Sequence, residues 1–258
     1  MPYRRMPVSI IDRNKVLETT SEKASSTPAD QWAISTETQT RLTTLYPALR
    51  QEMGERQEQF AKQAEATEAE NKQQQVLYRN VSHFMRVFNM AVERGVFSPS
   101  DRLYYGLNAN QSDLPKLSTE QDLVTWARNL IDGEAKRTQQ SAPEAPVVPA
   151  APDVEPTSEQ EAVPMSNPSA AEVETELNKY VELSNAQSAE KQAFDAENKD
   201  VLDMLPEIDE LIRDIYDEVE FYYRKETPAN RRKLAREWGV VYVSRPGEEP
   251  DDEVVEED

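Results

Sequence analysis

The chain has 258 residues, and its 49 acidic side chains outnumber 29 basic ones to give a formal net charge of −20. This balance disfavours binding to a nucleic-acid backbone or to an anionic membrane surface, because both need concentrated positive charge. The absence of cysteine excludes disulfides, thiolate nucleophiles and cysteine-ligated metals. The chain has only six glycines, which argues against an all-β fold, and its many Glu, Gln, Ala and Leu residues favour helix.

The sequence also lacks the patterns of targeting and of common catalytic sites. No long apolar run marks a signal peptide or a membrane-spanning segment, so we expect a cytoplasmic protein without a membrane partner. There is no phosphate-cradling glycine loop, no G-x-S-x-G and no H-E-x-x-H. We therefore expect a protein that is not an enzyme and needs no cofactor.

Residues 1–35 show little periodicity and are predicted to form an N-terminal arm, either extended over the surface or disordered. Within it, residues 8–11 are predicted to be a short strand or a hydrophobic anchor. Residues 240–243 also have the composition of a strand, and residues 8–11 are one candidate partner for it.

The next segment, Thr36 to Arg94, has the apolar spacing of a long amphipathic helix. Two shorter helices are predicted to follow. The first begins at Ser98–Asp101, where Ser caps the helix and Pro takes its first position, and it ends near Gly106. The second begins at the capping-box pattern Ser118–Gln121, and Gly133 is expected to be its end or a weak point.

Residues 138–169 contain seven prolines and few large apolar side chains, which predicts a semi-stiff linker. A heptad-like apolar stripe then starts near Ala170 and predicts one long helix. A hairpin that bends within the polar residues 184–193 is the alternative. Residues 248–258 include eight acidic side chains and are expected to be a solvated tail.

The chain contains the same helical segment twice. Ala69–Lys72 and Ala196–Lys199 are identical, and at this offset of 127 seven later apolar positions match. Each copy leads into a short helix that starts with proline and ends in an aromatic residue followed by glycine, Tyr105-Gly106 and Trp238-Gly239. We predict an internal duplication, with repeats at 36–137 and 170–247 whose apolar stripes face each other. The fold class is therefore predicted as all-α, an elongated bundle of two long amphipathic helices plus short helices.

Several segments together resemble a family of helical proteins common in Bacteroidetes for which no activity is established. The segments that carry the resemblance are Met1–Pro7, Ser82–Phe84, Phe88–Ala91, Tyr105–Leu107, Leu130–Glu134 and Glu237–Val243. The resemblance implies a bacterial host and transfers no catalytic or binding residue. The Pro-rich linker and the acidic tail depart from the usual pattern of the family.

Few side chains qualify as a reactive or metal-binding site. His83 is the only histidine and is expected at the edge of an apolar helix face. Without a second histidine, a cysteine or a suitable carboxylate pattern, neither a zinc site nor a Ser-His-Asp triad has support. We predict no catalytic residue, no cofactor-binding residue and no metal ligand.

An acidic stripe on the second long helix is one candidate partner surface. Its members recur every three or four residues and so share one helix face. Three interpretations are open: a solvated face, a docking face for a basic protein, or a cation site. The stripe consists of Asp203, Glu207, Glu210, Asp214 and Asp217.

A basic patch on the last short helix is the other candidate surface. It is interpreted as a nucleic-acid contact, as a partner for the acidic helix, or as solvated surface. The patch consists of Arg231, Arg232, Lys233 and Arg236.

The two copies differ in charge and in apolar content. Residues 37–94 carry eight acidic and eight basic side chains, whereas residues 170–226 carry seventeen acidic and six basic ones. The first copy has Val87, Met90 and Ala91 where the second is acidic, which predicts either deeper burial or a face for self-association or a partner. The leading hypothesis is a non-catalytic protein-interaction or scaffold protein. The alternative is a nucleic-acid-associated or mobile-element protein that uses residues 231–236.

Overall fold

The computed structural model describes residues 2–110, 113–140 and 163–244 of the chain. As predicted, the fold is all-α and its two long helices pack together. No helix in these ranges is both long enough and apolar enough to cross a membrane. The helices are α1 (Ile10–Ser26), α2 (Thr36–Glu93), α3 (Glu120–Gln140), α4 (Ala170–Tyr222) and α5 (Pro228–Arg236), the 3-10 helices are Ala29–Gln31 and Pro99–Tyr105, and a small antiparallel sheet pairs β1 (Tyr3–Arg4) with β2 (Tyr242–Val243).

Both long helices are continuous, so the alternative of a hairpin bending within residues 184–193 is wrong. The side chains of Ser35 and Ser169 cap their first turns by accepting hydrogen bonds from backbone N–H groups three residues later. Pro47 and Pro206 each remove one backbone donor, yet neither ends its helix.

Contacts between the long helices show that they run antiparallel. The ring of Phe60 on α2 lies 5.7 Å from the ring of Phe194 on α4. Further along α2, the side chain of Gln73 donates to the Glu176 carboxylate at 2.6 Å. Later residues of α2 therefore meet earlier residues of α4.

The chain divides into two compact units, and the first comprises residues 1–61 and 192–258, of which 2–61 and 192–244 are described. Its core collects apolar side chains from α1, the first part of α2, the second part of α4 and the α5 region. These side chains include Leu17, Leu42, Leu49, Ile208, Ile212, Ile215, Tyr216 and Trp238, all inaccessible to solvent.

The second unit comprises residues 62–191. Within its described residues, the core collects side chains from the second part of α2, the 3-10 helix that follows it, α3 and the first part of α4. These side chains include Leu77, Val81, Phe84, Phe88, Tyr105, Ala127, Leu130 and Val173.

The prediction that the two apolar stripes face each other is wrong. The stripe at Leu77–Phe88 lies in the core of the second unit, and the stripe at Ile208–Val219 lies in the core of the first. Antiparallel packing explains this, because it places the later part of each long helix against the earlier part of the other. The periodicity predicted correctly which face of each helix is apolar, but it did not predict which helix packs against that face.

The two units nevertheless contain corresponding elements. In each half of the chain, a helix precedes a long helix and a short helix follows it. A left-handed glycine follows each short helix: Gly106, with φ of 74°, comes directly after Tyr105, and Gly239, with φ of 86°, lies three residues after the end of α5 at Arg236. In both, the next residue, Leu107 or Val240, donates its N–H to the carbonyl five residues earlier. This likeness pairs α1 with α3, whereas the predicted repeat 36–137 excluded α1 and included α3. The duplication itself stays a prediction.

The N-terminal arm is more ordered than expected, because residues 10–26 form α1. The side chain of Ser9 caps this helix by accepting from the N–H of Asp12 at 3.0 Å. Its buried stripe is narrow and includes the polar Thr20, which is why the pattern shows little periodicity. The strand predicted at 240–243 is confirmed at Tyr242–Val243, but its partner is β1 and not residues 8–11.

Two boundaries near the Pro-rich segment also change. α3 continues through Gly133 to Gln140, so the expected helix end at Gly133 and the linker start at 138 are both wrong. On the far side, Met165 is buried in the second core. The rest of the predicted linker, residues 141–162, and the predicted tail lie outside the described residues.

Gly133 and Gly54 give opposite expectations for the same substitution. A Cβ on Gly133 would lie 2.7 Å from the carbonyl oxygen of Tyr104 and 2.6 Å from the ring of Tyr105, whereas one on Gly54 would have no neighbour within 4 Å. We expect Gly133→Ala to destabilise the fold by about 1–3 kcal/mol through overpacking. Gly54→Ala should stabilise α2 by about 1 kcal/mol through helix propensity. Urea denaturation measures both, and equal effects would contradict the close packing at Gly133.

Candidate functional site

The acidic stripe of α4 is partly neutralised by the chain itself. Arg41 on α2 lies 2.6 Å from Asp214 and 3.5 Å from Glu210. Arg4 on β1 pairs with Asp217. The other two members are at the surface, with Asp203 3.4 Å from Lys199 and Glu207 exposed. Three of the five stripe residues therefore make ion pairs with Arg4 or Arg41 within the first unit, and the use of the stripe as a partner surface stays a prediction.

Other acidic residues of α4 hold the N-terminal segment in place. Asp209 accepts from Arg13 through both carboxylate oxygens, at 2.6 and 3.0 Å. Glu218 accepts from the backbone N–H of Ser35 at 2.6 Å and from the hydroxyl of Thr38 at 2.8 Å. Its negative charge lies at the N-terminal end of α2, where the helix dipole favours it. The carboxylates of α4 therefore bind residues near the N-terminus of the same chain.

Three carboxylates of the first unit lie close together. Oxygen atoms of Glu52, Glu197 and Asp200 lie within 4.8 Å of one another. Burial and the neighbouring carboxylates of Glu55, Asp200 and Glu197 raise the pKa of Glu52. Exposed carboxylates often cluster in this way without a metal, and His83, the only histidine, is exposed on α2 in the second unit. We assign no metal to this group.

The predicted basic patch does not form a single exposed face. Arg232 is buried, whereas Lys233 is exposed. The guanidinium of Arg236 lies 5.7 Å from the ring centre of Tyr242 on β2. The patch thus divides, and Arg236 belongs to the wall of a cleft.

That cleft lies in the first unit and has a volume of about 500 Å³. Its walls are residues 5–8, the first half of α1 and the segment 239–243. Backbone pairing holds two walls together, since the N–H of Arg5 donates to the carbonyl of Val241 at 2.9 Å. Gly239 closes the third side, because a Cβ there would lie only 2.9 Å from the carbonyl oxygen of Val16.

The lining of the cleft combines positive charge with apolar surface. Arg5, in the segment 5–8, and Lys15, on α1, are exposed cations that line the cleft. The acidic residue in the lining, Asp12, accepts a hydrogen bond from the Ser9 hydroxyl at 2.7 Å. Val8 is 71 % exposed, and Val241 is 39 % exposed. A ligand that is both anionic and partly apolar matches this lining. The positive charge of the lining contrasts with the negative net charge of the whole chain.

Sequence reasoning missed this site because two of its three cations, Arg5 and Lys15, lie in the segment predicted to be an extended or disordered arm. The signal that points to it is the spacing of Ser9 and Asp12, since Ser or Thr followed three residues later by an acidic residue is typical of a helix start. That signal predicts α1 and places Lys15 on an ordered helix. It does not predict that residues 239–243 lie opposite.

The second unit contains a buried polar network that was also not predicted. Arg137 donates to Glu134 at 2.9 Å and to the carbonyl of Val163 at 2.8 Å. Glu134 also accepts from the N–H of Met165 at 2.6 Å and from the Tyr105 hydroxyl. The network fastens the residues that precede α4 to α3, and every charge in it has a partner. Its geometry indicates a structural role.

The network shifts the acidities of its members in opposite directions. Burial alone would raise the pKa of Glu134, but the hydrogen bonds from Arg137, the Met165 N–H and Tyr105 outweigh burial and lower it. Burial and the hydrogen bond to Glu134 raise the pKa of Tyr105. Glu134 is thus held as a carboxylate, and Tyr105 keeps its proton.

The apolar residues specific to the first copy are not deeply buried. Val87 and Ala91 are half-buried, and Met90 is 44 % exposed. Deeper burial at these positions is therefore not observed, and self-association through them stays a prediction.

The sequence and the structure of the chain were compared with those of known proteins. Neither the protein-family models nor the curated proteins nor the solved structures contain a match to it. The candidate site therefore has to be interpreted from its own geometry.

Proposed function

We propose that the protein is a non-catalytic interaction protein that binds an acidic, extended segment of a protein partner in the cleft of the first unit. The observation that carries this proposal is that the cations Arg5 and Lys15 line the same cleft as exposed Val8 and Val241. Carboxylates of the partner would pair with the two cations, and its apolar side chains would cover the two valines. The cleft volume lies within the range of about 300–1,000 Å³ typical of ligand pockets.

An extended ligand suits the cleft because one wall belongs to the β1–β2 pair. This sheet has two strands among the described residues, so each strand has an edge without a strand partner there. Peptides commonly bind by adding to such an edge, with alternate side chains filling adjacent pockets. Backbone pairing would contribute affinity, and the cations would favour acidic sequences.

The net charge of −20 does not exclude an acidic ligand at this site. At physiological ionic strength, charges more than about 8 Å apart are largely screened, so the ligand responds mainly to nearby groups. The charged groups that line the cleft are the cations Arg5, Lys15 and Arg236 and one carboxylate, Asp12. The distant acidic residues should make binding weaker at very low salt than at moderate salt.

Two other interpretations are less favoured. Nucleic-acid binding through residues 231–236 is weakened by the burial of Arg232, because a buried guanidinium is poorly placed for a phosphate backbone. Docking of a basic protein on the acidic stripe is weakened because Arg41 and Arg4 already pair with Asp214 and Asp217. The binding titration described next distinguishes both interpretations from the proposal.

The test is a binding titration of the full chain with a fluorescein-labelled peptide that alternates Glu and Val, followed by anisotropy. We expect Lys15→Glu combined with Arg5→Glu to weaken binding about tenfold or more, equivalent to about 1.4 kcal/mol. The control, Lys233→Glu, reverses an exposed charge that does not line the cleft and should have little effect.

Three results would contradict the proposal. The first is equal affinity for the double variant and the wild-type chain. The second is stronger binding of a peptide that alternates Lys and Val, which would favour the acidic stripe. The third is tighter binding of single-stranded DNA than of the Glu/Val peptide, together with loss of DNA binding in Lys233→Glu. This result would favour the nucleic-acid hypothesis.

A further inference from the structure

We propose that the acidic tail of this chain, residues 248–258, occupies the same cleft and competes with the partner. This inference rests on the proposed function, because it names the regulation of that site. The occupant is a segment of the chain itself, so the protein would be self-inhibited until a partner displaces the tail. Three properties of the tail and the cleft support it.

The first property is complementary chemistry. The tail has eight acidic residues in eleven, and Val254 and Val255 lie between its acidic groups. The lining of the cleft combines cations with exposed Val8 and Val241. A segment with both acidic side chains and valines therefore matches the chemistry of this lining. The acid-rich segments of α4 do not compete, because they are fixed within their helix.

The second property is the place where the tail leaves the fold. Val243 lines the cleft, and the described chain ends one residue later at Ser244. Val254 is ten residues beyond Ser244, and ten extended residues reach about 33–36 Å. This length is sufficient for the tail to turn back along the cleft.

The third property is the advantage of a tethered ligand over a free one. A ligand tethered close to its binding site has an effective concentration of about a millimolar there. A free acidic peptide must in addition approach a chain with net charge −20, which opposes association where salt does not screen it. The tail can therefore fill a site that binds acidic segments only weakly, and a partner must bind better to replace it.

The first experiment compares full-length chains with equal changes in net charge. In one variant, Asp251, Asp252, Glu253, Glu256 and Glu257 become their amides. In the control, the same is done to the five acidic residues of the Pro-rich segment, Glu144, Asp153, Glu155, Glu159 and Glu161. We expect the tail variant to bind the Glu/Val peptide about tenfold more tightly than the wild-type chain, because the competing ligand is removed. The control variant should bind close to wild type.

The second experiment detects the tail in the cleft directly. The chain has no cysteine, so a single introduced pair reports one contact. Thr19 lines the cleft on α1, and Thr43 is an exposed residue of α2 that does not. We expect a disulfide to form faster in Thr19→Cys with Val255→Cys than in Thr43→Cys with Val255→Cys. High salt should reduce the difference, because it screens the pairing of carboxylates with the cleft cations.

The outcomes separate this inference from the proposed function. Equal peptide affinity for wild-type and tail variants, with loss in the cleft variant, overturns the tail inference and leaves the proposed function standing. No peptide binding to any variant, with preferential disulfide formation at residue 19, overturns the function but keeps the tail contact. Equal disulfide rates at residues 19 and 43 overturn the tail contact whatever the peptide does.

Discussion

Replacing Trp238 with alanine is expected to destabilise the first unit by about 3–5 kcal/mol. The side chain is inaccessible to solvent in the core, and its indole N–H donates to the hydroxyl of Tyr223 at 3.2 Å. Alanine would leave a large cavity and also remove the partner of that hydroxyl. Because the backbone carbonyl of Trp238 accepts from Thr20 on α1, the cleft beside it should loosen as well.

Urea denaturation followed by far-UV circular dichroism measures this effect. The matched control is Phe221→Ala, since Phe221 is an aromatic residue near the end of α4 that is 64 % exposed. Its free energy of unfolding should change by no more than about 0.5 kcal/mol. A loss below about 1 kcal/mol for Trp238→Ala would mean that the core of the first unit is not packed as described.

Replacing Glu134 with alanine is expected to cost the second unit about 3–5 kcal/mol, because it leaves the guanidinium of Arg137 buried without its carboxylate. The side chains of this pair are only 7 % and 4 % exposed. Replacing both residues with methionine should recover only part of the loss, because it removes the unpaired guanidinium but leaves the Met165 N–H and the Tyr105 hydroxyl without their carboxylate acceptor. The control is Asp203→Ala, which breaks an exposed pair with Lys199 and should cost no more than about 1 kcal/mol.

The same pair predicts how stability changes with pH. Glu134 has a lowered pKa in the folded chain, so the folded state favours its carboxylate form more than the unfolded state does. Its contribution is therefore fully present above the ordinary pKa of a glutamate, about 4.3, and is lost as pH falls through the folded value. Unfolding midpoints in urea should fall with pH in this acid range. The fall should be smaller in Glu134→Gln, and an identical pH profile would contradict the assignment.

The helices show what periodicity can and cannot predict. The long helix expected from Thr36 to Arg94 is observed at Thr36–Glu93, because a long apolar repeat is a strong local signal. α1 was missed because its buried stripe is short and partly polar. Periodicity also identifies an apolar face without naming its partner, which is why the pairing of the two stripes was predicted wrongly.

The candidate site depends on contacts that no local pattern contains. The acidic stripe of α4 was visible as a run of carboxylates on one face, but its pairing with Arg4 and Arg41 joins residues more than a hundred positions apart. The cleft likewise brings Arg5 and Lys15 next to residues 239–243. Its charge could be predicted only after α1 and the β1–β2 pair were known.

The most direct measurement is a map of amide chemical shifts in the ¹⁵N-labelled full chain as the Glu/Val peptide is added. Binding in the cleft predicts shifts at residues 5–8, 15–19 and 239–243, the three walls of the site. The Lys15→Glu and Arg5→Glu double variant should remove them at the same peptide concentration. Shifts confined to Asp203–Asp217 or to Arg231–Lys233, with none at the cleft, would contradict the proposed function.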